Sequence, residues 1–232
     1  MNWSAEAVMK LINSERYIPG PLELETVQQM MQRGNIGKFD AHQYVTRKGD
    51  GHPRLCIVLN GYVRLTAFTE DGKEMLGHFI RPGDCWGAHP CLGGFDETND
   101  GIAEAPSEVL IIASDDVNEL MWEFRGFQQA MVKVLCGRLN LVVQIASQLG
   151  VQNSTKRLAW RLNMLAKNGH TGSFTTEVAV SQESLASMIG LTRQRTNFLL
   201  RELEKDGVIA LRYNRIEIVN PHRLQDLAAA SN

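Results

Sequence analysis

The stretch Val180–Arg201, VSQESLASMIGLTRQRTNFLLR, fits two short helices joined by a tight turn and little else. Leu185, Ile189, Leu191 and Leu199 are apolar at spacings that give each helix one inward face. Ala186 is small where the two helices would cross most closely. Gly190 stands at the turn, where a positive φ is cheapest for glycine. Thr192 is placed to cap the second helix. Arg193, Gln194, Arg195 and Asn197 then fall in its first turns, the part of a recognition helix that enters the major groove. Arg suits guanine and Gln suits adenine, so these four are candidates for base or adjacent phosphate contact. At least one of the four is expected to be merely solvated. Phe198 fits either a thymine methyl or the core.

Downstream, Gly207–Leu211 and Ile216–Val219 are apolar runs separated by Arg212-Tyr213-Asn214-Arg215. This predicts a β-hairpin, a wing whose tip arginines Arg212 and Arg215 would meet phosphates. Charge distribution agrees. From residue 151 onward there are 11 Lys and Arg against 7 Asp and Glu, whereas residues 1–150 carry 13 against 19. A basic end on an acidic remainder suits one DNA-contacting end.

Residues 1–30 have a helical pattern, with Leu22, Val27 and Met30 as candidate buried positions. Residues 36–113 change character. Apolar runs at Leu55–Leu59, Tyr62–Phe68, Met75–Ile80 and Val109–Ala113 alternate with turn signals at Gly49-Asp50-Gly51, Asn60-Gly61, Asp71-Gly72 and Pro82-Gly83-Asp84. Short, regularly spaced strands with glycine punctuation indicate a β-sandwich or barrel. From about Val117 to Leu149 the pattern is helical again. Val132, Leu135, Leu139, Val142, Ala146 and Leu149 recur in steps of three and four, the seam of a two-helix coiled coil, with Arg138 and Asn140 on the outer faces. The competing reading is a helix packed only on its own domain. Dimerisation fits DNA binding, because two recognition helices must be spaced to reach successive major grooves. Gly150-Val151-Gln152-Asn153 breaks the pattern as a hinge, and Asn153 or Ser154 caps a further helix over 155–167.

With 232 residues and 44% hydrophobic content, the chain can bury one large core or two small ones. No apolar run approaches the roughly 20 residues of a membrane span, so no membrane partner is expected. The N-terminus lacks a cationic region before an apolar core, and Glu6 comes early, which is unlike a signal peptide. The four cysteines, Cys56, Cys85, Cys91 and Cys136, are scattered, which suits a reducing cytoplasm rather than a disulfide framework.

A β-rich N-terminal half, a long dimer helix and a C-terminal winged helix, in this order, resemble the Crp–Fnr family of bacterial transcription regulators. The resemblance spans nearly the whole chain. Its most specific parts are Leu185–Gln194 with Leu203–Ile209, joined by Leu59–Leu65 and Phe79–Asp84. It implies an α+β fold: an N-terminal double-stranded β-helix or jelly-roll of the cyclic-nucleotide-binding type, a long dimerisation helix and a C-terminal winged helix-turn-helix. The expected domains are 1–116 (effector or sensor), 117–150 (dimerisation helix) and 151–232 (DNA binding). The implied function is a homodimeric, effector-controlled, sequence-specific transcription regulator. Its implied partners are double-stranded DNA with a palindromic operator, a second copy of itself and RNA polymerase.

The family's frequent recognition signature places Glu and Arg on the second helix to read a TGTGA-like half-site. Here Gln194 stands at the Glu position and Phe198 at the Arg position, so the operator is expected to differ. Thr196 is polar where the family usually has Val or Ile. The family holds a cyclic phosphate with an Arg beside a Ser or Thr, and the ribose with a Glu. These fall near Asn99, Asp100 and Ala88, and the family's purine-contacting hydroxyl pair aligns with Val142 and Val143. The segment from Pro82 to Phe124 holds ten Asp and Glu and no Lys or Arg. Arg is the side chain whose fork matches a phosphate, so cyclic AMP is not the expected effector.

Cys85-Trp86-Gly87-Ala88-His89-Pro90-Cys91 is the one local cluster with ligand-type side chains. Cys85, His89 and Cys91 are candidate haem or transition-metal ligands. A haem-based gas sensor of the family uses a Cys-x-His here, but its Cys position is Gly87 in this chain. The alternative is two core cysteines and a loop histidine. The family's oxygen sensor has clustered N-terminal cysteines, and this chain has none before Cys56. A redox thiol needs a cationic setting, and the setting here is acidic. Cys136, beside the seam, is expected to be packed. No cofactor is assigned. A small organic or apolar ligand, or none, remains. Two other classes compete: a cupin-like metal enzyme, disfavoured because His42, His52, His78 and His89 form no H-x-H pair, and a ligand-binding module without a DNA role.

Overall fold

The computed structural model describes residues 3–14, 22–68, 74–149, 153–166, 174–213 and 215–229. The expected turn at Asp71-Gly72, the hinge residues Gly150, Val151 and Gln152, Lys167 and Asn214 lie outside the described residues, as do the side chains of Leu149 and His78. The chain forms two compact units, Met1–Asn140 and Leu141–Asn232.

The first unit begins with helices α1 (Ala5–Ser14) and α2 (Leu24–Arg33) and continues through strands β1 (Asn35–Phe39), β2 (Tyr44–Thr46), β3 (Arg54–Asn60), β4 (Val63–Phe68), β5 (Glu74–Ile80) and β6 (Cys85–Trp86). Helix α3 (Ala88–Gly93), strands β7 (Asp100–Ala103) and β8 (Ser107–Ala113), helix α4 (Ser114–Glu123) and the long helix α5 (Arg125–Leu149) follow. The strands make two antiparallel four-stranded sheets, ordered β1-β8-β3-β6 and β2-β7-β4-β5. The jelly-roll expectation is met.

The apolar runs at Leu55–Leu59 and Val109–Ile112 have a clear cause. Cys56, Val58, Trp86 and Val109 point into the core with Val45, Val63, Leu65, Ile80 and Ala103 of the second sheet. Their neighbours Leu55, Ile57, Leu59, Leu110 and Ile112 point the other way, under a helical layer that contributes Val8, Ile12, Val27, Met30, Val117, Leu120, Phe127, Met131 and Val134. Because side chains alternate along a strand, β3 and β8 are buried on both faces and lose the apolar-polar alternation of a half-exposed strand. The expected buried positions Leu22, Val27 and Met30 are buried.

One helix expectation is corrected. The segment from Val117 to Leu149 is two helices, broken at Phe124, whose φ of −120° and ψ of 102° are extended. The bend lets Leu120 of α4 and Phe127 of α5 both reach the same core.

The second unit contains α6 (Ser154–Ala166), β9 (Glu177–Val178), α7 (Gln182–Ile189), α8 (Arg193–Lys205), β10 (Ile209–Arg212), β11 (Arg215–Ile218) and α9 (Pro221–Ala229). Asn153 caps α6, its Oδ1 accepting from the Thr155 and Lys156 amides at 3.0 and 3.1 Å. The hairpin β10–β11 gains a third strand, β9, in the order β10-β11-β9. Leu158, Leu162, Leu185, Ile189, Leu199, Leu200, Leu203, Ile216, Ile218 and Leu224 form a separate core.

Candidate nucleic-acid interface

Local caps fix the two helices of the interface. Ser181 accepts from the Ser184 amide at α7, and Thr192 accepts from the Arg195 amide at α8. Gly190 has φ 66°, and its amide closes α7 onto Ala186 and Ser187. Ala186 is buried at the crossing. The inner face of α8 is Thr196, Leu199, Leu200 and Leu203; the outer face carries Arg193, Gln194, Asn197, Phe198 and Arg201, which line one shallow depression.

Arg193, Gln194 and Arg195 are exposed, and among the described residues Arg193 and Arg195 form no ion pair. The first turn of α8 holds no acid. A helix N-terminus carries partial positive charge, so arginines there are placed against the electrostatic preference of the free chain. Such a site is suited to a polyanion. The Arg195 guanidinium lies 5.1 Å over the Phe198 ring, a cation–π contact. Phe198 is 51% exposed, which decides its two sequence readings: it faces outward, not into the core. Thr196 is fully buried, and its Oγ1 has no hydrogen-bond partner among the described residues.

The wing stands next to this face. Glu204 of α8 accepts from the Leu211 amide at 2.8 Å and holds β10. Arg193, Gln182, Leu211, Arg212, Tyr213 and Arg215 border a cleft of about 350 Å³. Tyr213 is 93% exposed at the tip. The wing arginines are not bare. Arg212 pairs with Glu217 at 3.1 Å and Arg215 with Glu177 at 3.2 Å. Both pairs are exposed, where an ion pair contributes about 0–1 kcal/mol, so exchange for a phosphate costs little.

Sequence reasoning missed Arg201, exposed four residues after Asn197 on the same face. It also missed that Asn197 is half-buried and hydrogen-bonded at both ends: Nδ2 donates to Gln182 Oε1 at 2.7 Å, and Oδ1 accepts from Arg201 Nε at 2.9 Å. The i, i+4 spacing was the available signal.

On α5, Val132, Leu139, Val142 and Val143 are exposed in the single chain, as is Ala146, while Leu135 packs partly against the core. Arg138 does not lie on an outer face: its Nη2 donates to the Cys85 carbonyl at 2.8 Å. Cys136 is exposed rather than packed in this chain.

The Cys85–Cys91 segment does not gather into a ligand set. Cys85 and Cys91 are buried in the core under the helices, and His89 points outward, stacked on Phe95 with centroids 5.3 Å apart. Burial pushes the Cys85 thiol up to about 12 despite Arg138, and the Cys91 thiol to about 11. Among the described residues, no three His, Cys, Asp or Glu side chains come together as a metal site. Gly87 has φ 85°, and a Cβ there would run into the Arg54 carbonyl oxygen. No cysteine fits at the position where the haem sensor of the family has one.

Residues 36–123 match the cyclic nucleotide-binding domain family, and residues 156–227 match the Crp-like helix-turn-helix domain family. The chain is 30% identical over 222 residues to the nitrogen fixation regulation protein FixK of Bradyrhizobium diazoefficiens, covering 90% of this chain and 88% of that protein. This chain belongs to the Crp/Fnr family. It is 23% identical over 215 residues to the fumarate and nitrate reduction regulatory protein of Escherichia coli K12, covering 89% and 82% of the two chains. In structure it resembles the c-di-GMP responsive global regulator CLP of Xanthomonas campestris, with TM-score 0.73, 20% identity, and coverage of 84% of this chain and 99% of that one. The chain is a homodimeric DNA-binding transcription regulator and not an enzyme. Among the described residues, no helix is long and apolar enough to cross a membrane.

Proposed function

We propose that this Crp/Fnr regulator works in the cytoplasm as a sensor (1–116), a dimerisation segment (117–150) whose pairing helix is α5, and a DNA reader (151–232). Two copies join along Val132, Leu135, Leu139, Val142, Ala146 and Leu149. The exposure of Val132, Leu139 and Val142 in the single chain supports this, since a soluble helix does not leave such a stripe unpaired without use. The two α8 helices then read a palindromic operator. Arg193, Gln194 and Arg195, with Thr192 at the helix start, meet bases or adjacent phosphates, and Arg212 and Arg215 meet phosphates. RNA polymerase is the protein partner this reading assigns. The observation that carries it is that Arg193 and Arg195, at the N-terminus of α8, are exposed and form no ion pair among the described residues.

The effector is not a cyclic nucleotide in this reading. Two arginines that fold near the acid-rich segment already have partners: Arg64 with Glu104 at 2.5 Å, and Arg54 with Asp50. The Asp100 carboxylate is taken by the Lys48 amide at 2.8 Å, and Asn99 bonds Thr98. Val142 and Val143 offer no hydrogen bond to a purine. Calorimetry with cyclic AMP and cyclic GMP is expected to show no saturable binding; micromolar binding would sink this part.

Selection of bound sequences from random DNA tests the whole reading. Inverted half-sites about 10 base pairs apart, centre to centre, are expected. Their sequence should depart from TGTGA, because Gln194 favours adenine and outward Phe198 favours a thymine methyl. No enrichment at low salt, with and without cell extract, would overturn it.

A further inference from the structure

We propose that Arg201 is a further DNA contact, directed at a backbone phosphate, and that Asn197 serves as its positioning residue rather than as a base reader. The inference rests on the reading of α8 as the recognition helix. An asparagine that reads adenine presents Oδ1 and Nδ2 together to one base edge. Here the two ends of the Asn197 amide are turned to two different side chains. Nδ2 donates to Gln182 Oε1 on α7 at 2.7 Å, and Oδ1 accepts from Arg201 Nε at 2.9 Å. Asn197 is half-buried, so water competes weakly for these bonds.

The consequence for Arg201 is orientation. A long, exposed arginine loses much of its rotamer freedom when it is fixed. Asn197 fixes part of it in advance by holding Nε, while Gln182 fixes Asn197 from the first residue of α7. The Nη1–Nη2 edge of the guanidinium remains for a bidentate anion contact. Arg201 shares its face with Arg193, Gln194 and Phe198. At 1.5 Å per residue, Arg193 and Arg201 are about 12 Å apart along α8, close to the ~12 Å width of the major groove. With Arg193 at the base edges, Arg201 falls at the groove rim, where the available acceptors are phosphates.

A mutant cycle on the full-length protein tests this, measuring affinity against salt for the selected operator and for an unrelated duplex. Arg201→Ala is expected to weaken both DNAs by the same factor, about fivefold to tenfold, and to lower the salt slope by about 1. Asn197→Ala should weaken both by a smaller factor and leave base preference unchanged. The double variant should bind no worse than Arg201→Ala. Additive losses, or a changed base preference in Asn197→Ala, would make Asn197 a direct reader and overturn the proposal. Gln182→Ala loosens the same amide from its other end and replaces Asn197→Ala if that variant does not fold. Arg193→Ala separates the two levels. If it leaves operator affinity intact, the assignment of α8 fails; if it abolishes specificity while Arg201→Ala is silent, only the present proposal fails.

Discussion

Four cations of the first unit and two at the start of the recognition helix are placed in opposite ways. In the β-roll, Arg33 reaches Glu119 and Glu123 at 3.2 and 2.5 Å, Lys38 reaches Glu108 at 3.5 Å, Arg54 pairs with Asp50, and Arg64 holds Glu104 at 2.5 Å. On α8, Arg193 and Arg195 stand exposed at the positive end of a helix with no ion pair among the described residues. The first arrangement consumes cations in folding; the second withholds them from folding. The wing is intermediate, with arginines held in exposed pairs that exchange easily. Arg47, Lys48 and Arg81 of the β-roll are also exposed without an ion pair among the described residues, so it is the gathering of such cations at one helix N-terminus, not their lack of partners alone, that points to an external anion.

The comparison matters only if the reading helix is doubled. Leu139→Glu puts a carboxylate on the exposed stripe of α5, and Leu139 is 64% exposed in one chain, so the monomer should still fold. Sedimentation is expected to show monomers, with operator affinity falling at least a hundredfold; a dimeric Leu139→Glu would place the interface elsewhere. Arg193→Ala comes next. It should lower operator affinity by about 1–3 kcal/mol and relax specificity, with no fall in melting temperature, because removing a cation from a helix N-terminus is neutral or favourable. A substantial melting loss would mean that the side chain serves the fold, and the contrast with the β-roll would collapse.

Smaller effects sharpen it. Arg212→Ala and Arg215→Ala should each weaken operator and unrelated DNA equally, by a few-fold, and reduce the salt slope by about 1. A loss confined to the operator would give the wing a reading role instead. Thr196→Val should stabilise the second unit by about 1 kcal/mol in urea titration, since the buried hydroxyl has no described partner. Unchanged or lower stability would reveal a partner for it.

Glu97 is the exception inside the β-roll, buried with Oε2 unpartnered among the described residues. Burial raises its carboxyl from 4.5 to about 7, against the pull of Arg54. The folded state then holds a proton that the unfolded chain releases, so stability falls as pH rises from 4.5 to about 7. Glu97→Gln should be more stable than the wild type at pH 8, with the gap closing toward pH 5. Parallel pH profiles for the two proteins would show that Glu97 is ionised and satisfied.

Much of this was legible in local pattern. The turn at Gly190, the cap at Thr192, the inward faces of α7 and α8 and the wing all depend on residues within a few positions of each other. The strand runs at Leu55–Leu59 and Val109–Ala113 were visible too, though not the reason for their continuous apolarity, which needed a sheet and a helical layer on opposite faces. The break at Phe124 escaped because apolar spacing continues through it. The short strands β2, β6 and β9 escaped because two or three residues carry no periodicity, and they exist only through pairing with distant strands.

By itself, then, the sequence determined that this chain ends in a helix-turn-helix with a basic reading face, because that motif is written in contiguous spacing. Only the tertiary structure decided which arginines form no ion pair among the described residues, that Asn197 is committed to Gln182 and Arg201, that Phe198 faces outward, and that Cys85, His89 and Cys91 do not converge. Each of those depends on side chains that meet across the fold, and one-dimensional spacing carries no record of such meetings.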